Sequence, residues 1–147
     1  MGLDNGIIIR AKSDNGLNFL RKNFSDLKAE FDDEGKEFEF GYWRKCWNIR
    51  SKFLEDFWYN EENYEIRFSI DDIPEIIETL KFFVEEKNWT YGNGSIFEWS
   101  DEIKHLLKVI RDLKFFYLGV KELINLNTAN DEMLREDDFE IFFYDSY

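Results

Sequence analysis

Four segments of the chain carry the pattern of short β-strands. Residues 6–11 contain three consecutive isoleucines, whose branched side chains favour the pleated backbone of a sheet. Residues 37–42 and 64–70 alternate polar and apolar side chains, as strands with one buried face do. Residues 139–144 are mostly apolar and aromatic and predict a last strand near the end of the chain.

Apolar residues spaced by three and four predict helices between these strands. The first helix is expected over residues 17–31, where Ser25 and Asp26 are candidate breaking points. The second is expected over residues 44–58 and is apolar on two sides, which predicts a helix sandwiched between other elements.

Two further helices are predicted in the second half of the chain. One starts at Asp72 as the N-cap, with Pro74 in its first turn, and the other starts at Ser100 and extends toward residue 126. The predicted core stripe of the first is Ile73, Ile76, Ile77, Leu80, Phe83 and Val84. The predicted buried face of the second is Ile103, Leu106, Leu107, Ile110, Leu113 and Tyr117.

Interleaved helices and short alternating strands define the expected fold class. We predict an α+β fold whose mainly antiparallel or mixed sheet has about four strands, with three to four helices covering one face. A length of 147 residues with a single proline and no repeat predicts one domain over residues 1–147. Residues 88–95 are expected to form a loop, and residues 131–138 are acidic without a clear pattern.

Composition and charge exclude several classes of protein. Hydrophobic residues make up 44% of the chain and aromatic residues 19%, too many for a disordered protein. The net charge of −13 argues against direct binding of duplex nucleic acid. One cysteine and one histidine cannot form a structural zinc site or an internal disulfide, so we expect no metal and no cofactor.

The N-terminal segment indicates the cellular compartment in which the protein is expected. It has no basic region, and its apolar run at residues 7–9 is too short for a signal peptide or a membrane span. The lone thiol of Cys46 suits a reducing compartment. We therefore expect a cytoplasmic protein that does not associate with membranes.

Positive charge is concentrated in one short segment. Residues 1–54 hold 10 basic and 9 acidic side chains, whereas residues 55–147 hold 9 basic and 23 acidic ones. Residues 41–54, which we call the basic-aromatic strip, contain four basic side chains and no acidic one. Cations interleaved with aromatic rings suit an anionic ligand, such as a nucleotide-like one, or a protein partner. The predicted ligand-binding residues are Trp43, Arg44, Lys45, Trp47 and Arg50.

Three other interpretations compete with a ligand site on the strip. In the first, its tryptophans belong to the core and its cations pair with carboxylates of the same chain. In the second, nearby cations activate Cys46, and His105 joins it in an enzyme site, although nothing in the sequence brings the two together. In the third, the acidic runs imitate a nucleic-acid backbone and inhibit a host nucleic-acid-binding protein.

Three stretches of the chain resemble a group of small acidic proteins encoded by bacteria and their phages. They are MGLDNGI at residues 1–7, YWRKCWNIR at 42–50 and FYDSY at 143–147. Because these stretches lie at the start, middle and end, the resemblance spans the whole chain. It transfers no activity and no catalytic residue, but it implies a phage or mobile-element setting. We therefore expect a non-catalytic accessory protein that binds an anionic ligand or a macromolecular partner, with the strip as its contact surface.

Overall fold

The three consecutive isoleucines lie in the central strand of an antiparallel sheet. The structure is a computed structural model that describes residues 4–32, 35–44, 46–85, 99–126 and 134–146. Its strands are β1 (Asp4–Ala11), β2 (Ala29–Asp32), β3 (Gly35–Arg44), β4 (Glu65–Phe68) and β5 (Phe139–Ser146). They are ordered β2-β3-β1-β5-β4, and every neighbouring pair is antiparallel.

Four helices accompany the sheet in the described part of the chain. They are α1 (Asp14–Asn23), α2 (Trp47–Asp56), α3 (Ile73–Glu85) and α4 (Trp99–Leu126). Their buried side chains join those of one sheet face in a single hydrophobic core. The α+β class is confirmed, and the sheet has five strands instead of about four.

The fifth strand comes from a segment that we had assigned to the first helix. Helix α1 starts after Ser13, whose hydroxyl accepts a hydrogen bond from the Gly16 N–H at 3.1 Å, and it ends at Asn23. Residues 29–32 instead form β2, paired with β3. The prediction of a helix over 17–31 is therefore wrong beyond residue 23, because β3 offers this segment backbone partners that helical periodicity does not reveal.

The second helix also starts later than predicted. Strand β3 continues to Arg44, which pairs with Asp4 of β1, and α2 begins at Trp47. Only one side of α2 is fully buried, through Ile49 and Phe53. Trp58 lies beyond the helix end and is 78% exposed, so the expectation of a sandwiched helix over 44–58 is wrong.

Helix α3 follows the sequence prediction most closely. Its stripe of Ile73, Ile76, Ile77, Leu80 and Phe83 is buried, and Val84 is partly buried against the core. A 3-10 turn at Ile70–Asp72 precedes it, with a capping box between Ser69 and Asp72. Asp72 therefore caps the Ser69 N–H through its side chain and is not itself the N-cap.

Helix α4 buries a face that overlaps the predicted one only in part: Leu106 and Leu113 are buried, and Ile110 and Tyr117 are partly buried against the core. Its fully buried side chains are Leu106, Val109, Leu113, Phe116 and Val120, whereas Leu107 is 49% exposed. The helix begins at Trp99, before the predicted start at Ser100. Because α4 is apolar on more than one side, its periodicity allows two stripes, and packing on β3 and α3 selects one.

The sheet face turned away from the core carries a charge network across four strands. Arg10 pairs with Glu37, and Glu140 lies 3.0 Å from the Lys12 ammonium and 3.1 Å from the Arg67 guanidinium. The favourable ion pairs lower the pKa of Glu140, although burial alone raises it. The predicted loop at 88–95 and residues 33, 34 and 131–133 lie outside the described residues.

Candidate functional site

The basic-aromatic strip is divided between two elements, and its first tryptophan belongs to the core. Trp43 lies on β3, is 2% exposed and packs edge-on against His105, with ring centroids 5.4 Å apart. Strand alternation turns this indole toward the helices, whereas Tyr42 and Arg44 on either side are exposed. The Trp43 indole is therefore unable to stack on a ligand in this structure.

Arg50 of the strip belongs to a buried polar cluster at one end of the sheet. Its Nε lies 2.9 Å from Asp145 Oδ1 and 3.0 Å from Oδ2, and the Asp145 side chain is fully buried. The Tyr59 hydroxyl donates to Asp145 Oδ2 at 2.8 Å, and Asn5 Nδ2 donates to Oδ1 at 2.9 Å. We call Asn5, Arg50, Tyr59 and Asp145 the Asp145 cluster.

Exposed parts of the strip remain beside this cluster. Trp47 is 39% exposed, and the Arg50 guanidinium lies 5.7 Å from the centre of its ring. Arg44 is exposed at the end of β3. Lys45 lies outside the described residues. Of the five predicted binding residues, only Arg44 and Trp47 thus present an exposed side chain in the described part of the chain.

The stretches that carry the family resemblance meet at this end of the sheet. Asn5 comes from the first stretch, Arg50 from the second and Asp145 from the third. The Tyr42 hydroxyl adds a bond of 2.9 Å to Asp4 Oδ1. These contacts tie residues near the start and the end of the sequence to its middle.

The surroundings of Cys46 do not favour a nucleophilic thiol. Cys46 is 2% exposed, and burial raises its pKa to about 12, so the thiol is protonated at neutral pH. Burial also lowers the pKa of His105, whose Nε2 accepts a hydrogen bond from the Tyr42 N–H at 3.3 Å. Among the described residues, no group of three or more His, Cys, Asp or Glu side chains is arranged to hold a metal ion.

A second basic and apolar surface, which the sequence analysis missed, lies on α4. We define the α4 face as Lys104, Leu107, Lys108, Arg111, Lys114, Phe115 and Leu118, which follow one another at helical spacings on the outer side of the helix. Its three apolar side chains, Leu107, Phe115 and Leu118, are 49%, 63% and 52% exposed. Residues 104–118 hold four basic side chains and one acidic, in a chain whose net charge is −13.

A groove between α1 and α4 borders this face. One part has a cavity volume of about 770 Å³ and is lined by Phe19, Phe24, Arg111, Phe115 and Leu118, among others. An adjoining part of about 480 Å³ also includes Leu123 and Leu134. Both parts share Phe19 and Gly119, and the Phe19 ring lies so close to Gly119 that a Cβ there would be 3.1 Å from Phe19 Cζ.

A signal for the α4 face was present in the sequence. Residues 104–118 contain apolar side chains on both sides of the helix, and a lysine or arginine recurs every three or four positions. We predicted Leu107 to be buried. Helix α4 has more apolar positions than one buried stripe needs, and this excess indicates that some of them are exposed.

Comparison with known proteins adds no assignment to either surface. No protein-family model, no curated protein and no solved structure matches this chain. Within the described residues, no helix combines the length and the apolar character that crossing a bilayer requires.

Proposed function

We propose that this chain is a non-catalytic binding protein that contacts a macromolecular partner through the α4 face. The observation that carries the proposal is the exposure of Leu107, Phe115 and Leu118 along one side of a single helix. Exposed apolar side chains that recur along one helix among basic ones are a feature of protein-interaction sites. The compartment that we propose is the cytoplasm, and the setting is a bacterium or its phage.

The strip has a smaller part in this proposal. Arg44 and Trp47 remain available for an anionic ligand, while Arg50 is held by Asp145 and Trp43 is in the core. A contact at Arg44 and Trp47 stays a prediction that accompanies the α4 proposal.

The two alternatives from the sequence receive less support from the geometry. The protonated state of Cys46 disfavours an enzyme built on its thiol. Two of the acids that nucleic-acid mimicry would need in solution, Asp71 and Glu136, have a partner in the fold, since both pair with Lys121. We therefore extend the proposal neither to catalysis nor to mimicry.

Site-specific photocrosslinking tests the proposed surface. A photoreactive amino acid at position 118 of the full chain, expressed in the native host, is expected to trap a discrete partner. The same group at position 51, an exposed serine on α2, is the matched control. Loss of the adduct in Phe115→Ser, with retention in Phe82→Ser on α3, supports the proposal. Equal adducts from positions 118 and 51, or none from position 118, would overturn it.

Arg44→Ala in the same assay tests the remaining part of the strip. We choose this change over an Arg50 substitution because Arg50 supports the fold through Asp145. If the adduct at position 118 depends on Arg44 but not on Phe115, the strip and not the α4 face is the contact surface.

A further inference from the structure

We infer that the α4 face receives an acidic amphipathic helix of a partner protein, seated along the groove between α1 and α4. This inference rests on the proposed function and names the kind of partner that the surface fits. It follows from the shape of the groove, from the backbone hydrogen bonds of the helices that form its walls, and from the charges along its edge.

The shape of the groove suits a helix of about three turns. Leu107 and Leu118 are eleven positions apart, which corresponds to about 16 Å along α4. Phe115 and Leu118 line the groove itself, and Phe19 lies on its α1 side. An incoming helix with apolar residues at positions i, i+3 or i+4, and i+7 would place them against these side chains.

The backbone of the groove favours a helix over an extended segment. Both walls are helices, whose N–H and C=O groups bond within the same helix. An extended peptide would find no free edge strand there, and its own backbone groups would lose water without gaining partners. A helical partner satisfies its backbone internally and needs only side-chain contacts.

The charges along the groove favour acidic side chains on that partner. Lys104 and Lys114 are exposed, whereas Lys108 lies 2.8 Å from Asp112 and 3.5 Å from Asp26, and Arg111 lies 3.2 Å from Asp112. Four cations thus face two carboxylates in this part of the helix. This half of the face therefore carries a net positive charge. Glu122 lines the opposite end of the groove. Complementarity thus predicts glutamate or aspartate on the partner helix over the half with Lys104 and Lys114, and none near Glu122.

The same charges disfavour the other occupants. A phosphate backbone or an anionic bilayer would meet Asp26 and Glu122 at the groove, and a whole chain of net charge −13. A second copy of this chain would bring two such charges together. A short helix can place its acidic side chains beside Lys104 and Lys114 and uncharged ones beside Asp26 and Glu122, which avoids most of this repulsion.

Peptide selection on the purified full chain tests this inference. The probe is a displayed library of helical peptides of about five turns, with a fixed Leu and Phe face and Glu, Lys, Gln and Ser allowed elsewhere. We expect enrichment of Glu next to one end of the apolar face. The affinity of the selected peptides should fall as salt rises from about 50 to about 500 mM.

Variants distinguish the groove from non-specific apolar binding. Phe115→Ser and Leu118→Ser should each weaken the selected peptides about tenfold or more, whereas Phe82→Ser, an exposed phenylalanine on α3, should leave the affinity unchanged. The double change Lys104→Glu with Lys114→Glu should reverse the preference, so that Lys-rich versions of the peptides bind better. Retained circular dichroism spectra of these surface variants exclude unfolding as the cause.

The outcomes separate this inference from the proposed function. A crosslink from position 118 together with selected peptides that lack acidic residues, or that ignore the Lys104 and Lys114 changes, overturns the acidic helix but leaves the α4 contact. Absence of the crosslink overturns both. Concentration-dependent dimers in sedimentation that Phe115→Ser abolishes, or binding to phosphatidylserine vesicles that it abolishes, would replace the helix with a second copy or a membrane surface.

Discussion

The basic-aromatic strip and the α4 face have nearly the same composition but differ in how far the fold buries their side chains. Each has four cations interleaved with large apolar side chains. In the strip, Arg50 pairs with Asp145, Lys52 lies 3.2 Å from Asp56, and Trp43 is buried. On the α4 face, the apolar row is exposed and two lysines lie on its edge. The two segments therefore differ most in their large apolar side chains, since Trp43 of the strip is buried and Leu107, Phe115 and Leu118 of the α4 face are exposed.

This contrast teaches that local charge excess does not locate a binding surface. What matters is whether the cations face carboxylates of distant segments after folding. Asp145 is 95 positions from Arg50, so its effect on the strip is invisible to any local window of sequence. On the α4 face, Lys108 and Arg111 also pair with carboxylates, those of Asp26 and Asp112, whereas Lys104 and Lys114 are exposed.

Two adjacent phenylalanines on α4 should show the largest difference in unfolding free energy between a core variant and a surface variant. Phe116 is 0% exposed and Phe115 is 63% exposed. We expect Phe116→Ala to lower the free energy of unfolding by about 3–5 kcal/mol through the cavity it creates, and Phe115→Ala to change it by about 0.5 kcal/mol or less. Urea unfolding followed by circular dichroism measures both. Similar losses for the two variants would show that the α4 face is core, and the comparison would fail.

The next largest difference in unfolding free energy is expected for the two ion pairs of the strip, one in the Asp145 cluster and one at Lys52. Asp145→Asn places an amide N–H₂ among donors and leaves Arg50 without its carboxylate, so we expect a loss of about 3 kcal/mol in unfolding free energy. Lys52→Met, which breaks the more exposed pair with Asp56, should cost about 0–1 kcal/mol.

The outcome that contradicts this prediction is equally specific. If Asp145→Asn and Lys52→Met cost the same in urea unfolding, Arg50 is not committed to the fold. The strip would then regain its status as a ligand site. Tyr59→Phe, which removes one donor to Asp145, should fall between the two at about 1 kcal/mol.

Alkaline pH provides a further test, because the folded state raises the pKa of several groups at this end of the sheet, among them Cys46, Tyr59, Tyr42 and Tyr144. Burial raises the pKa of Cys46 from 9.0 to about 12, and burial with the bond to Asp145 raises that of Tyr59 from 10.0 to about 12. A raised pKa in the folded state favours the protonated form there. Its contribution to stability is therefore complete below pH 9 and is lost as the pH rises toward 12.

We accordingly expect the unfolding midpoint in urea to fall between pH 9 and pH 12, and Cys46→Ala with Tyr59→Phe to flatten that fall. Thiol labelling of the native protein at pH 8 should be slow until urea unfolds it. Rapid labelling of the native protein would mean that the Cys46 side chain is accessible, contrary to its burial.

Helices α3 and α4 show how far the sequence could be used. The apolar positions of α3 form one stripe, and that stripe is the buried one. The apolar positions of α4 form more than one stripe, and we chose Leu107 where the fold buries Val109 and Phe116. A single stripe has one way to reach the core, whereas two stripes need knowledge of the neighbouring elements.

The candidate sites divide in the same way. The residue types of the strip predict affinity for anions, and this stays a prediction for Arg44 and Trp47, which are exposed. Pairing of Arg50 with Asp145 and burial of Trp43 depend on where β3, β5 and α2 meet. The groove beside Phe115 exists only because α1 packs against α4 at Gly119.

The sequence by itself determined the α+β class, most of the strands and the stripe of α3, because these follow from the spacing of apolar residues along single segments. Only the tertiary structure decided which of two cationic, apolar segments faces solvent. The physical reason is that burial and charge pairing are relations between distant segments. Local periodicity describes the faces of one helix or strand, but the rest of the fold selects which of those faces is covered.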